Sequence, residues 1–123
     1  MYQEYSWSAV YFGKTYFWGQ IPDSGSGFLE IEFSTPLDVD HILIRSGNDW
    51  KPWDLLSTNS SLDIIGQDGQ SQELGTFHSD GHLELKVPIN WRPIHKIVIN
   101  VRGPPGKWTV IREVDIKWNN KAE

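Results

Sequence analysis

The residues best equipped for chemistry are concentrated between Arg45 and Leu56 (RSGNDWKPWDLL), where Trp50 and Trp53 stand among Asp49, Lys51 and Asp54. The segment follows a β-branched run and leaves it through Gly47 and Asn48. Tryptophans three apart in a polar, proline-containing loop cannot both be core residues at strand period, so at least one is expected to be exposed. An exposed indole offers a flat apolar surface for the apolar face of a pyranose ring. A nearby carboxylate can accept hydrogen bonds from two sugar hydroxyls, and such charge-assisted bonds are the stronger kind. Trp50, Trp53 and Asp54 thus make a candidate saccharide clamp. They also suit a packing role, with the indoles folded back to plug one end of a sandwich and Asp54 capping a turn. The local pattern leaves both readings open.

Catalytic constellations are harder to assemble. Ser24-Gly-Ser-Gly lacks the lysine and the following helix that a phosphate loop requires. Asp38-Val39-Asp40 matches the Asp-x-Asp with which glycosyltransferases hold a metal–nucleotide, but here it enters a strand with no nucleotide-binding fold around it, and a turn is the expected reading. The four histidines, His41, His78, His82 and His95, lack the spacing of zinc ligands. His78 and His82 read as a surface pair flanking a hairpin turn. Sixteen acidic residues keep a glycosidase-like carboxylate pair arithmetically open, yet a small domain with a filled core has little room for a deep cleft. No catalytic residue, metal or cofactor is expected. Asn59-Ser60-Ser61 is an N-glycosylation sequon at the junction of a loop and a strand.

The elements that must position these groups are strands. Leu29, Ile31 and Phe33 alternate with Glu30 and Glu32; Leu83, Leu85 and Val87 repeat the pattern, as do Ile97, Ile99 and Val101, and Val114, Ile116 and Trp118. Val39 to Arg45 and Ser61 to Ile65 are short β-branched runs bounded by turn formers. Thr76 to His78 is expected to add a short strand, and Ser6 to Tyr11 a loosely alternating one. Gly and Pro punctuate the intervals at 23–27, 66–70, 79–81 and 103–106. No capped amphipathic helix is visible. About eight strands with frequent turns predict an all-β antiparallel sandwich or jelly roll, a single domain over residues 1–123, which the saccharide reading of its Trp50–Asp54 loop would make carbohydrate-binding.

Composition narrows the function classes. The length is that of one domain with enough core to fold without staples, and the absence of cysteine removes disulfides, thiol nucleophiles and cysteine-ligated zinc. A net charge of −5 with scattered basic residues lacks the positive footprint that nucleic acid requires. No apolar run approaches the length of a membrane span, and no signal-peptide pattern opens the chain. Seven tryptophans exceed what one small core needs.

An ordered set of residues carries a resemblance across nearly the whole chain. Phe17-Trp18, the Pro22–Gly27 turn, Phe28 to Phe33, Pro36-Leu-Asp-Val39 and Ser46-Gly-Asn48 follow one another, then Pro52, Asp54 and Leu55-Leu56 lead into the sequon. Trp108 and Glu113 to Lys117 close it, while residues from about Gln67 to Pro93 match only in outline. This order resembles the C-terminal lectin-like domain of the N-acetylglucosaminyltransferase IV family. The resemblance implies a galactose-binding-type jelly roll that recognises terminal N-acetylglucosamine on N-glycans and stands beside a catalytic domain outside this sequence. By position, Asp54 takes the central sugar-binding role, Asn48 a second hydrogen bond, Trp108 an aromatic position in the last loop and Trp18 one in an early loop. It further implies a Golgi-lumenal parent held in the membrane by its own anchor, or secreted after cleavage, so that membrane contact comes only through the parent chain. Arg45, the Asp49–Lys51 tract and Trp53 depart from the family pattern, and the sequon is displaced by about one position, which puts ligand preference in doubt. A protein-interaction module using the tryptophan-rich loops is the alternative, since tryptophan equally suits an interface hot spot. A small glycoside hydrolase is the third and least supported reading.

Overall fold

The computed structural model describes residues 6–7, 13–47 and 54–118. Within them nine strands run in the order β1 (Ser6–Trp7), β2 (Gly13–Gln20), β3 (Ser26–Leu37), β4 (Val39–Ser46), β5 (Ser61–Gly66), β6 (Ser71–Thr76), β7 (His82–Lys86), β8 (Ile94–Arg102) and β9 (Trp108–Trp118). They form a five-stranded sheet, β1-β3-β8-β5-β6, facing a four-stranded sheet, β2-β9-β4-β7. All pairings are antiparallel except that of β1 with β3. The expected β-sandwich is the observed one.

Alternation decides which faces meet. Leu29 and Ile31 of β3 lie in register beside Ile99 and Ile97 of β8, which in turn flank Leu62 and Ile64 of β5, all buried, as is Phe33 further along β3. From the opposite sheet Ile42 and Ile44, Leu83, Val114 and Ile116 complete one continuous core. The outward side of the same strands carries ion pairs: Lys96 Nζ lies 3.5 Å from Glu30 Oε2, and His95 Nε2 lies 3.0 Å from Glu32 Oε2. Trp118 and Leu85 are only partly buried and pack on the rim of the core.

Two element assignments differ from the sequence expectation. The strand expected at Thr76–His78 ends at Thr76 and lies upstream, as β6. Phe77 is buried just beyond it, with its N–H on the Ser60 carbonyl at 3.0 Å. β6 pairs only with β5 and is half exposed, so its sequence, SQELGT, needs no apolar alternation. The other difference is β2, where a register shift between Lys14 and Phe17 breaks the period-two pattern that would have revealed the strand.

The register sorts the connections into two groups. Residues 21–25, 54–60, 77–81 and 103–107 gather with Gly47 at one end of the sandwich, where Ser26 faces Arg102, Ser61 faces Asn100 and Gln20 faces Trp108. The turn at 66–70 and residues 87–93 lie at the other end, where Gly66 faces Ile94.

Candidate functional site

At the first of these ends, β4 closes on Ser46, whose side chain is 5% exposed. Its hydroxyl donates to the Gly81 carbonyl at 2.7 Å and accepts the Leu56 N–H at 2.9 Å. One side chain therefore ties the end of β4 to the segment that begins at residue 54, and both to the β6–β7 connection. Gly81 makes this close approach possible. Its φ is +79°, and a methyl group on it would overlap Ser46 Oγ and sit 2.6 Å from Leu55 Cδ2. Gly47 continues the seam by donating to the Val110 carbonyl at 2.7 Å.

The returning segment is also held from the β8–β9 loop. Lys107 Nζ donates to the Leu55 carbonyl at 3.0 Å, and Ser57 Oγ donates to the Arg102 carbonyl at 2.6 Å. Arg102 N–H is in turn bonded to Ser60 Oγ at 3.0 Å. Residue 54, at the start of this segment, is thereby fixed in position by its neighbours' backbone bonds. Asp54 is half-buried, and Leu56 behind it belongs to the core. Beside Lys107, Trp108 opens β9 and is 49% exposed, one of two large apolar side chains that are exposed among the described residues.

The proposed saccharide residues thus divide into three groups. Asp54 and Trp108 come to the same end of the sandwich, linked through Leu55 and Lys107. Asn48, Trp50 and Trp53 lie outside the described residues. Trp18 is not in an early loop as expected; its backbone is paired with Val110 within β2, two positions before the strand ends. Asn59 is exposed in a turn immediately before β5, with Ser60 and Ser61 buried behind it. Arg45, one of the departures from the family pattern, is engaged on the sheet surface, with Nε 3.2 Å from Glu113 Oε1. His78 and His82 do flank a turn, their ring centroids 6.1 Å apart. Lys107, which helps hold the segment, had no motif to betray it, and Ser46 stood in the Ser46–Asn48 order without any sign of its anchoring role: each acts on a residue brought near only by folding.

The sequence model of the MGAT4 C-terminal domain matches residues 1–113. The chain belongs to that family. Its relatives include alpha-1,3-mannosyl-glycoprotein 4-beta-N-acetylglucosaminyltransferase A of Mus musculus, 25% identical over 95% of this chain and 24% of the relative. The B enzyme of Danio rerio is 26% identical over 99% of this chain and 25% of the relative. The chain spans about a quarter of the length of these glycosyltransferases, so the family resemblance read from Trp18, Ser46–Asn48, Asp54 and Trp108 holds for their C-terminal domain. Among solved structures, the lectin domain of lectinolysin, complexed with Lewis B antigen, aligns with a TM-score of 0.63 at 10% identity, covering 85% of this chain and 72% of that one. The periplasmic g-type lysozyme inhibitor of Aeromonas hydrophila aligns with a TM-score of 0.51 at 11% identity, over 92% and 98%. At such identities these two similarities bear on the fold of the MGAT4 C-terminal domain alone.

Proposed function

We propose that the chain is a non-catalytic lectin module of a glycan-branching N-acetylglucosaminyltransferase, and that it holds the terminal N-acetylglucosamine of an N-glycan at the Ser46–Arg102 end. The observation that carries the reading is that a half-buried carboxylate, Asp54, and an exposed indole, Trp108, come to the same end of the sandwich, joined through the Lys107–Leu55 bond to a segment that Ser46 and Ser57 also pin. In this reading Asp54 accepts sugar hydroxyls and Asn48 adds a second polar contact. Trp50 or Trp53, with Trp108, packs against the ring or the acetyl methyl, and Trp18 is the remaining aromatic candidate. The relatives' names supply the sugar, and the lectinolysin lectin domain, complexed with Lewis B antigen, shares the fold.

A shallow one-sugar site has millimolar affinity, about −4 kcal/mol, which two or three polar contacts and one stacked face supply. Weak binding suits a module tethered to the catalytic domain of the same parent chain in the Golgi lumen, because tethering raises effective concentration without new contacts. The 123 residues act in this scheme as one domain without cofactor, and glycosylation at Asn59 decorates the same end without entering the clamp.

The test is an NMR titration of the chain with N-acetylglucosamine, glucose and mannose. Saturable shifts at Trp108 and at the Asp54–Leu56 amides with N-acetylglucosamine, abolished by Asp54→Ala at nearly unchanged Tm, are the expected result. Silence towards every sugar would reject the lectin reading in favour of a protein interface. A large fall in Tm for Asp54→Ala would make that residue structural.

A further inference from the structure

The opposite end of the sandwich carries a hollow. The β5–β6 turn and the 3-10 turn Ile89–Trp91, with the residues that follow it, enclose about 320 Å³. That volume lies at the lower limit of small-molecule sites and suits a group no larger than a monosaccharide. The nine residues of β8 separate it from the Ser46–Arg102 end, roughly 25–30 Å at the rise of an extended strand. The two ends cannot share one sugar.

Its lining selects the ligand class by elimination. Three exposed primary amides, Gln67, Gln70 and Asn90, border the hollow, and none is engaged with another described residue. Each brings two N–H donors and a carbonyl acceptor. Asp68 uses Oδ1 to accept the Gln70 N–H at 3.1 Å, leaving Oδ2 as a further acceptor. Arg92 also lines the space, but its Nε and Nη2 both donate to the Val87 carbonyl, at 3.1 and 2.8 Å, and Nε lies 3.9 Å from Asp38 Oδ1. With that cation engaged inside the protein and an unbalanced carboxylate at the rim, the hollow does not attract anions. One carboxylate without a histidine does not hold a metal. The apolar part is limited to Trp91 and Pro93, too little for a hydrophobic ligand.

Trp91 is half-buried against the core, and its indole edge covers Gly66, where a Cβ would lie 3.4 Å from Cε3 and 3.5 Å from Cζ3. The indole therefore packs on Gly66 while part of it lines the hollow. What remains as ligand is an uncharged molecule with many hydroxyls and one apolar face. We propose that this hollow is a second saccharide-binding site, taking one neutral pyranose through the Gln67, Gln70 and Asn90 amides and Asp68 Oδ2, with Trp91 as the stacking wall. It stands independently of the site at the other end.

The experiment is an NMR titration of the 123-residue chain with N-acetylglucosamine, galactose, glucose and mannose, each to about 50 mM, well above a millimolar Kd. The Trp91 indole N–H and the amides of Gly66, Gln67 and Asn90 should shift and saturate with at least one of the four. Asn90→Ala and Gln70→Ala should each weaken that response by about fivefold, the worth of one net hydrogen bond, without moving Tm, since both side chains are exposed. Asp54→Asn should leave it intact, which separates this site from the other. No saturable shift at these amides overturns the proposal, as does a response unaffected by both amide variants or one abolished by Asp54→Asn. Stronger shifts with inorganic phosphate or calcium chloride than with any sugar would overturn the ligand class.

Discussion

Ser46→Ala tests the claim that one hydroxyl holds the candidate site in place. In the native chain Ser46 Oγ accepts the Leu56 N–H and donates to the Gly81 carbonyl. The Gly81 carbonyl keeps a second donor, the Ser46 N–H at 2.9 Å, so alanine leaves it satisfied. The Leu56 N–H loses its partner in a buried setting, and an orphaned buried donor costs about 1–3 kcal/mol. Alanine fits without a clash and leaves little space, so no large cavity contribution is added. At about 2.1 cal/mol/K per residue, the 123-residue chain unfolds with an entropy of about 0.26 kcal/mol/K. The expected fall in Tm is therefore about 4–12 °C. Calorimetry or circular dichroism measures it, and hydrogen exchange should show the Leu56 amide losing protection more than those of β3 and β8. Asp54 lies two residues upstream, so sugar binding should weaken as well. A Tm within about 1 °C of the parent, with Leu56 exchange unchanged, would refute the reasoning.

Other substitutions extend the test. Gly81→Ala combines a left-handed backbone (φ +79°) with a methyl 2.6 Å from Leu55 Cδ2 and should exceed Ser46→Ala in cost; Gly69→Ala, at φ +88° with open space around it, should show only the backbone penalty of about 1–2 kcal/mol. Paired urea melts compare the two, and equal losses would count against the packing at Gly81. Phe33→Ala, in the centre of the core, should cost about 3–5 kcal/mol, read from the same melts; under 1 kcal/mol would mean that the two sheets are not packed through this ring. In a glycosylating secretory host, the exposed Asn59 should carry one glycan that Asn59→Gln removes, seen as a single mobility step on a gel. No difference in mobility between the two chains would count against that site.

Local order explains how much of this molecule could be read before folding was considered. Leu29, Ile31 and Phe33, or Ile97, Ile99 and Val101, alternate because each strand has one buried face, and a period of two is written in consecutive residues. The turns at 23–27, 66–70, 79–81 and 103–106 were equally legible, since a glycine at positive φ is a local requirement at Gly25, Gly69, Gly81 and Gly106. Asp54 and Trp108 stood out by residue type and family order. β2 and β6 did not stand out, because a register shift in one and an edge position in the other relax the alternation.

What tertiary structure alone decided is which distant residues meet. Ser46 reaches Leu56 and Gly81, Lys107 reaches Leu55, and Trp91 covers Gly66 across separations that no motif spans. Trp91 in particular offered no functional signal along the chain, yet it forms the wall of a polar hollow with residues some twenty positions away. Strand patterns record burial, which each residue experiences through its own side chain. Sites record convergence, and convergence depends on sheet order and register, quantities shared among strands and written in none of them singly.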